Sequence, residues 1–183
     1  MPNRETRDTP LQALAWPATL ASVTILATLA SACMTPYIAL AVIAAATLSR
    51  RHAAWTIGGV WLTAQILGFT VLHYPSSAYA FAWGAALGVA SLAAMLAASL
   101  VMDRSRPSLS RLVAAFVAGF ALYEGLLLGF AYVAGGVETF TPAVVVQIAS
   151  NDAVWLVILA GLRMILVAGA PRWFGSAPAL RLA

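Results

Sequence analysis

Charge is the scarcest commodity in this chain. Of its 183 residues 9% are charged and 62% hydrophobic, and the mean hydropathy is +0.91. A soluble domain carries about 25% charged residues, so this composition excludes an ordinary soluble domain and points to a polytopic membrane protein. Cysteine occurs once, as Cys33. That excludes a disulfide within the chain and any multi-cysteine zinc or iron–sulfur centre. Lysine is absent: all ten basic residues are arginines, scattered through short loops. A nucleic-acid partner, which needs a basic face, is not expected. No HExxH, GxSxG, Walker glycine loop or paired-cysteine motif occurs, so no catalytic residues and no cofactor are assigned by motif.

What is there is apolar runs separated by short polar breaks. A membrane-spanning helix needs about 20 apolar residues. The runs predict spans at 11–32, 36–49, 54–72, 78–101, 110–134 and 142–169, broken at "CMTPY", "SRRH", "HYPSS", "MDRSRPSLS" and "GGVETFTP". The second span is short, which predicts either a tilted or interfacial helix or the continuation of a bent first span. Pro36 and Pro142 suit first helical turns, where the missing N–H would be unpaired anyway. The expected fold is all-α, a compact bundle of six transmembrane helices. A polar tail at 1–10 precedes the membrane domain at 11–169, and a second tail follows at 170–183.

Arginine distribution orients the spans. Arg4 and Arg7, then Arg50 and Arg51, then Arg104, Arg106 and Arg111, then Arg172 and Arg181 mark alternate loops and both ends. Both termini are therefore expected in the cytoplasm, in a bacterial inner membrane. Cys33, His73, Tyr74 and Glu138 fall on the outer side. His52, beside Arg50 and Arg51, reads as a loop residue, and the two histidines are expected on opposite sides of the bilayer.

Small residues recur at helical spacing. Ala82, Ala86, Ala90, Ala94 and Ala98 form a four-residue ladder with Gly84 and Gly88 nearby, and Ala121, Gly125 and Gly129 form a second stripe. Such stripes let helix backbones approach closely in lipid. They are expected to pack within the bundle; the alternative is that the Ala82–Ala98 face slides against a partner subunit.

Polar residues inside apolar spans are costly and mark functional sites by default. Glu124 lies ten residues from the end of its span, and Asp152 ten residues into the next, so with Asn151 they share a depth near the midplane at 1.5 Å per residue. Gln147 and Asn151 share a face with Trp155, and Gln65 lies one to two turns below the outer surface. These residues predict a ligand pocket with His73, Tyr74 and Cys33 near its rim. Trp61, Trp83, Tyr123, Tyr132 and Trp155 are candidate aromatic walls. The blander expectation is that Glu124 is structural glue, hydrogen-bonded to Asn151 or Gln147. Arg163 lies eleven residues beyond Asp152, about 16 Å along the helix, and is expected to snorkel toward headgroups.

Compact length, six helices, inward termini and alanine-rich faces resemble the substrate-binding S-component of energy-coupling-factor vitamin transporters. The resemblance is architectural and covers Leu11 to Gly169. It implies a vitamin-type ligand in an outward-facing pocket built from late helices and loops, the region of Gln147, Asn151, Glu124 and "HYPSS". It also implies a scaffold subunit with ATPases as partner. Where that family often carries an alanine-x-x-x-alanine pair in its first helix, this chain has Ala18 with Ser22 and Ala27 with Ser31, which leaves room for a solitary form. Some solitary relatives carry cobalamin, which makes Cys33 a candidate soft ligand to the cobalt of a corrinoid. Two other classes stay open: an intramembrane enzyme using Cys33, His73 or Glu124, and an accessory subunit of a larger complex. "LASAC" resembles a lipoprotein cleavage box, but the chain returns at once to an apolar run, so lipid attachment is not expected.

Overall fold

The computed structural model describes residues 10–30, 35–102 and 108–174. These form α1 (Pro10–Ala30), α2 (Tyr37–Thr47), α3 (Arg50–Thr70), α4 (Ala78–Val101), α5 (Leu109–Ala134), a 3-10 turn at Val137–Thr139, α6 (Pro142–Gly169) and a short α7 (Pro171–Phe174). The described residues contain no strand. Three helices, α4, α5 and α6, are long and apolar enough to cross a membrane by length and composition. The chain is thus a helical membrane protein. Helices α1 and α2 are shorter as apolar segments.

Side-chain caps account for the sharp helix starts. Ser77, Ser108 and Thr141 accept from the backbone N–H groups of Ala80, Arg111 and Val144, opening α4, α5 and α6. Pro142 takes the first position of α6 as expected. Only Leu48 and Ser49 separate α2 from α3, so Arg50 and Arg51 belong to a helix. His52, expected in a loop, lies in the first turn of α3. There its N–H donates to Ser49 Oγ at 3.3 Å and its Nδ1 meets the same oxygen at 2.8 Å.

The largest departure from the sequence expectation is α2. It does not lie at an interface. Its residues Tyr37 to Ala45 are all buried, and it packs against α4, α6, α5 and α3. A helix that is apolar all round belongs inside a protein, and "YIALAVIAAAT" has no polar face. Eleven residues span about 16 Å, roughly half the thickness of a hydrocarbon core. α2 therefore fills one half of the bundle axis and starts deep inside.

The alanine ladder of α4 makes this centre possible. Ala90, Ala94 and Ala98 have no exposed surface, while Ala82 at the other end is exposed. Across the α4–α5 contact, a Cβ on Gly119 would sit 3.4 Å from the Ala94 carbonyl oxygen and 3.8 Å from Ile38 Cγ2. So α4, α5 and α2 meet nearly backbone to backbone. The buried half of the ladder is an internal packing face, not one that slides against a partner. The second stripe behaves oppositely: Ala121, Gly125 and Gly129 are exposed, with open space beside both glycines. The expectation that it packs within the bundle fails, because its helix turns that face outward.

Candidate functional site

The site is built around the buried start of α2. The first N–H groups of a helix have no partner within it, and here they emerge away from water. Pro36, the residue before the helix, gives no side-chain cap. The cap comes from α6: Asp152 Oδ1 accepts from Ile38 N–H at 2.9 Å and from Ala39 N–H at 2.8 Å. Asp152 is 1% exposed. Its charge meets the positive end of the α2 dipole as well as two backbone donors.

Above this turn lies a cavity of about 270 Å³. Each helix except α7 contributes to it. Thr28 comes from α1, Tyr37 from α2, Gln65 from α3, Leu87 from α4, Tyr123 and Glu124 from α5, and Asn151 and Asp152 from α6. Thr35, Tyr74, Thr139 and Phe140 close it from the connecting segments. Thr28 Oγ1 donates to Thr35 Oγ1 at 3.0 Å, tying the end of α1 to the approach of α2. The rings of Tyr37 and Tyr123 lie 6.4 Å apart, tilted by 35°.

Glu124 is the unusual member. It is 9% exposed, and both of its carboxylate oxygens are buried with no hydrogen-bond partner among the described residues. The bonds to Asn151 or Gln147 expected of structural glue are not made. A buried carboxylate without donors is expensive, and this one belongs to a residue in the cavity wall. No described arginine or histidine lines the cavity; the polar groups that the described residues bring to it are two carboxyls, hydroxyls and carboxamides.

Of the residues expected to bind ligand, Glu124, Asn151, Gln65, Tyr74 and Asp152 come together here. Gln147, His73 and Trp155 are not among the lining residues. Gln147 is exposed, and Trp155 packs against the apolar core. His73 is exposed and sits in the left-handed region at φ 56°. It turns the chain so that Tyr74 folds back, its N–H donating to Gly68 O at 3.0 Å. The ring then covers Gly68, where a Cβ would lie 2.6 Å away, and meets Phe69 edge-on at 6.1 Å. His73 thus shapes the rim without reaching the cavity. Cys33, the cobalt-ligand candidate, lies outside the described residues. Among the described residues no group of three or more His, Cys, Asp or Glu is placed to hold a metal ion.

The expected aromatic walls are largely replaced. Tyr123 lines the cavity, but Trp61, Trp83, Trp155 and Tyr132 do not, and Tyr132 is 73% exposed. Trp61 is instead a wedge between α3 and α4. Its Nε1 donates to Gly84 O at 2.7 Å, and a Cβ on Gly88 would lie 2.7 Å from its ring. Gln65 rests over Gly84 in the same way. Sequence reasoning missed Tyr37, Phe140, Thr28 and Thr35. The signal available for three of them was position: Thr35, Tyr37 and Phe140 lie in the "CMTPY" and "GGVETFTP" breaks, on the side of the bundle expected to hold the pocket's rim. The chain matches no protein-family model, no curated protein and no solved structure.

Proposed function

We propose that this chain is a solute-binding membrane protein of S-component type, taking up a vitamin-type small molecule. The observation that carries this reading is the buried Glu124 carboxyl, without a hydrogen-bond partner among the described residues, in the wall of a cavity furnished with Tyr, Thr, Gln and Asn groups. Its chemistry favours a ligand that brings positive charge or several hydrogen-bond donors, because the described lining offers two carboxyls and aromatic faces and no cationic side chain. The volume favours a compact ligand over a macrocycle as large as a corrinoid. Arg50, Arg51 and Arg172 lie at the end opposite the cavity mouth. By the positive-inside rule that end is cytoplasmic, which gives inward termini, six helices embedded in a bacterial inner membrane and an outward-facing pocket. An energising scaffold subunit with ATPases is the partner such a protein would use. The outward stripe Ala121, Gly125 and Gly129 suits close approach by a partner helix and equally supports an accessory-subunit role.

The test is native mass spectrometry of the detergent-purified chain. A retained organic cation or amine, released from Glu124→Gln, supports the reading. An empty cavity with a co-purifying membrane protein supports the accessory role instead. Neither a ligand nor a partner overturns both.

A further inference from the structure

A second cavity, of about 220 Å³, opens at the arginine-rich end, between α1, the end of α2, the end of α6 and α7. Arg163, six residues before the end of α6, turns into it instead of reaching along the helix toward solvent. Its guanidinium carbon sits 4.8 Å from the centroid of the Trp16 ring. Trp16 is held in place by its own Nε1, which donates to Thr47 Oγ1 at 2.8 Å. Arg163 Nη1 is buried and has no hydrogen-bond partner among the described residues. Arg172 and Trp173 line the same cavity, and Trp173 is half exposed at its edge.

No described acid can answer these two cations. Asp152 is about 16 Å up the helix from Arg163 and is committed to α2; Glu124 and Glu138 belong to the cavity end of α5 and the turn after it. The remaining acids, Glu5, Asp8 and Asp103, lie outside the described residues. A guanidinium with one buried, unpaired nitrogen in a cavity wall, a second guanidinium lining the same cavity and flanking tryptophans at a helix-bundle boundary form the chemistry of a phosphate site. We infer that this cavity binds a phosphate group, held by Arg163 and Arg172, with Trp16 fixing the Arg163 guanidinium from its other face. The phosphate is that of an anionic phospholipid headgroup or of a soluble phosphate compound.

The experiment uses the full chain in nanodiscs. In one arm, discs contain equal amounts of phosphatidylglycerol and phosphatidylcholine, and the lipids that stay bound are counted by native mass spectrometry. In the other arm, discs contain phosphatidylcholine alone and inorganic phosphate is titrated while Trp fluorescence is followed. The expected result is preferential retention of phosphatidylglycerol that falls about tenfold in Arg163→Gln, the size of losing one charge-assisted contact. It also falls in Arg172→Gln and is unchanged in Arg50→Gln. A phosphate response lost in the same two variants assigns the soluble source and equally supports the site. Retention that is indifferent to lipid charge with no phosphate response, or a preference equal in all variants, overturns it. Arg172 is exposed, so its variant stays informative even where Arg163→Gln fails to fold.

Discussion

Asp152 in α6 and Ala39 in α2, 113 residues apart in sequence, are joined by a 2.8 Å hydrogen bond from the Ala39 backbone N–H to the Asp152 carboxylate. With the companion bond from Ile38, it provides a helix that starts inside the protein with the cap its own sequence lacks. Asp152→Ala leaves two buried donors unpaired, and we expect a loss of about 3 kcal/mol. Asp152→Asn keeps an acceptor and loses only charge, so about 1 kcal/mol is expected. Thermal unfolding in detergent, followed by Trp fluorescence, measures both. Equal effects of the two substitutions would remove the capping account.

Glu124 should behave in the opposite sense. Its carboxylate has no partner among the described residues, so Glu124→Gln is expected to leave the melting temperature of the purified chain without ligand unchanged or raised. The same substitution should weaken ligand binding by about tenfold or more, the size of one charge-assisted contact. Calorimetric titration with the ligand recovered from the native protein reads the second effect. A drop in stability together with intact binding would make Glu124 structural after all.

The two glycine stripes are expected to separate cleanly. Gly88→Ala drives a Cβ into the Trp61 ring and should cost about 1–3 kcal/mol through overpacking. Gly125→Ala faces open space and should be neutral or stabilising by up to about 1 kcal/mol, the helix-propensity gain. Melting curves of the isolated chain distinguish them. If Gly125→Ala destabilises the purified monomer, its outward placement is wrong.

His73 serves by its backbone. At φ 56° glycine is the most tolerant replacement and a β-branched residue the least. His73→Gly should leave ligand binding intact. His73→Val should cost about 1–2 kcal/mol and loosen Tyr74 from Gly68. Loss of binding in the glycine variant would return His73 to the list of ligand contacts.

Sidedness has its own measurement. In a Cys33→Ser background, Glu138→Cys on intact cells should react with a membrane-impermeant maleimide, and Arg51→Cys should react only after lysis. The reverse pattern would invert the pocket.

Much of the scaffold was legible because its punctuation is chemical. Ser77, Ser108 and Thr141 announce helix starts, and rise per residue was enough to bring Glu124, Asn151 and Asp152 to one level. Rotation about each helix was harder. Tyr132 and Trp155 lie in the right spans but turn elsewhere, and identical small-residue spacing pointed inward in α4 and outward in α5. Span length alone could not tell a helix facing lipid from one surrounded by protein, so the burial of α2 was not legible. The Asp152 cap was out of reach for a different reason: its partners are backbone amides, which every residue but proline possesses, and which leave no mark in a sequence.

The half-length of α2 also fixes what lies beneath the cavity. Below its first turn runs about 13 Å of tightly packed helix, from Tyr37 to Ala45 with every residue buried. Among the described residues the floor of the cavity is packed side chains and backbone. Should the chain carry a solute across as proposed, the helices around α2 would have to part to let it pass.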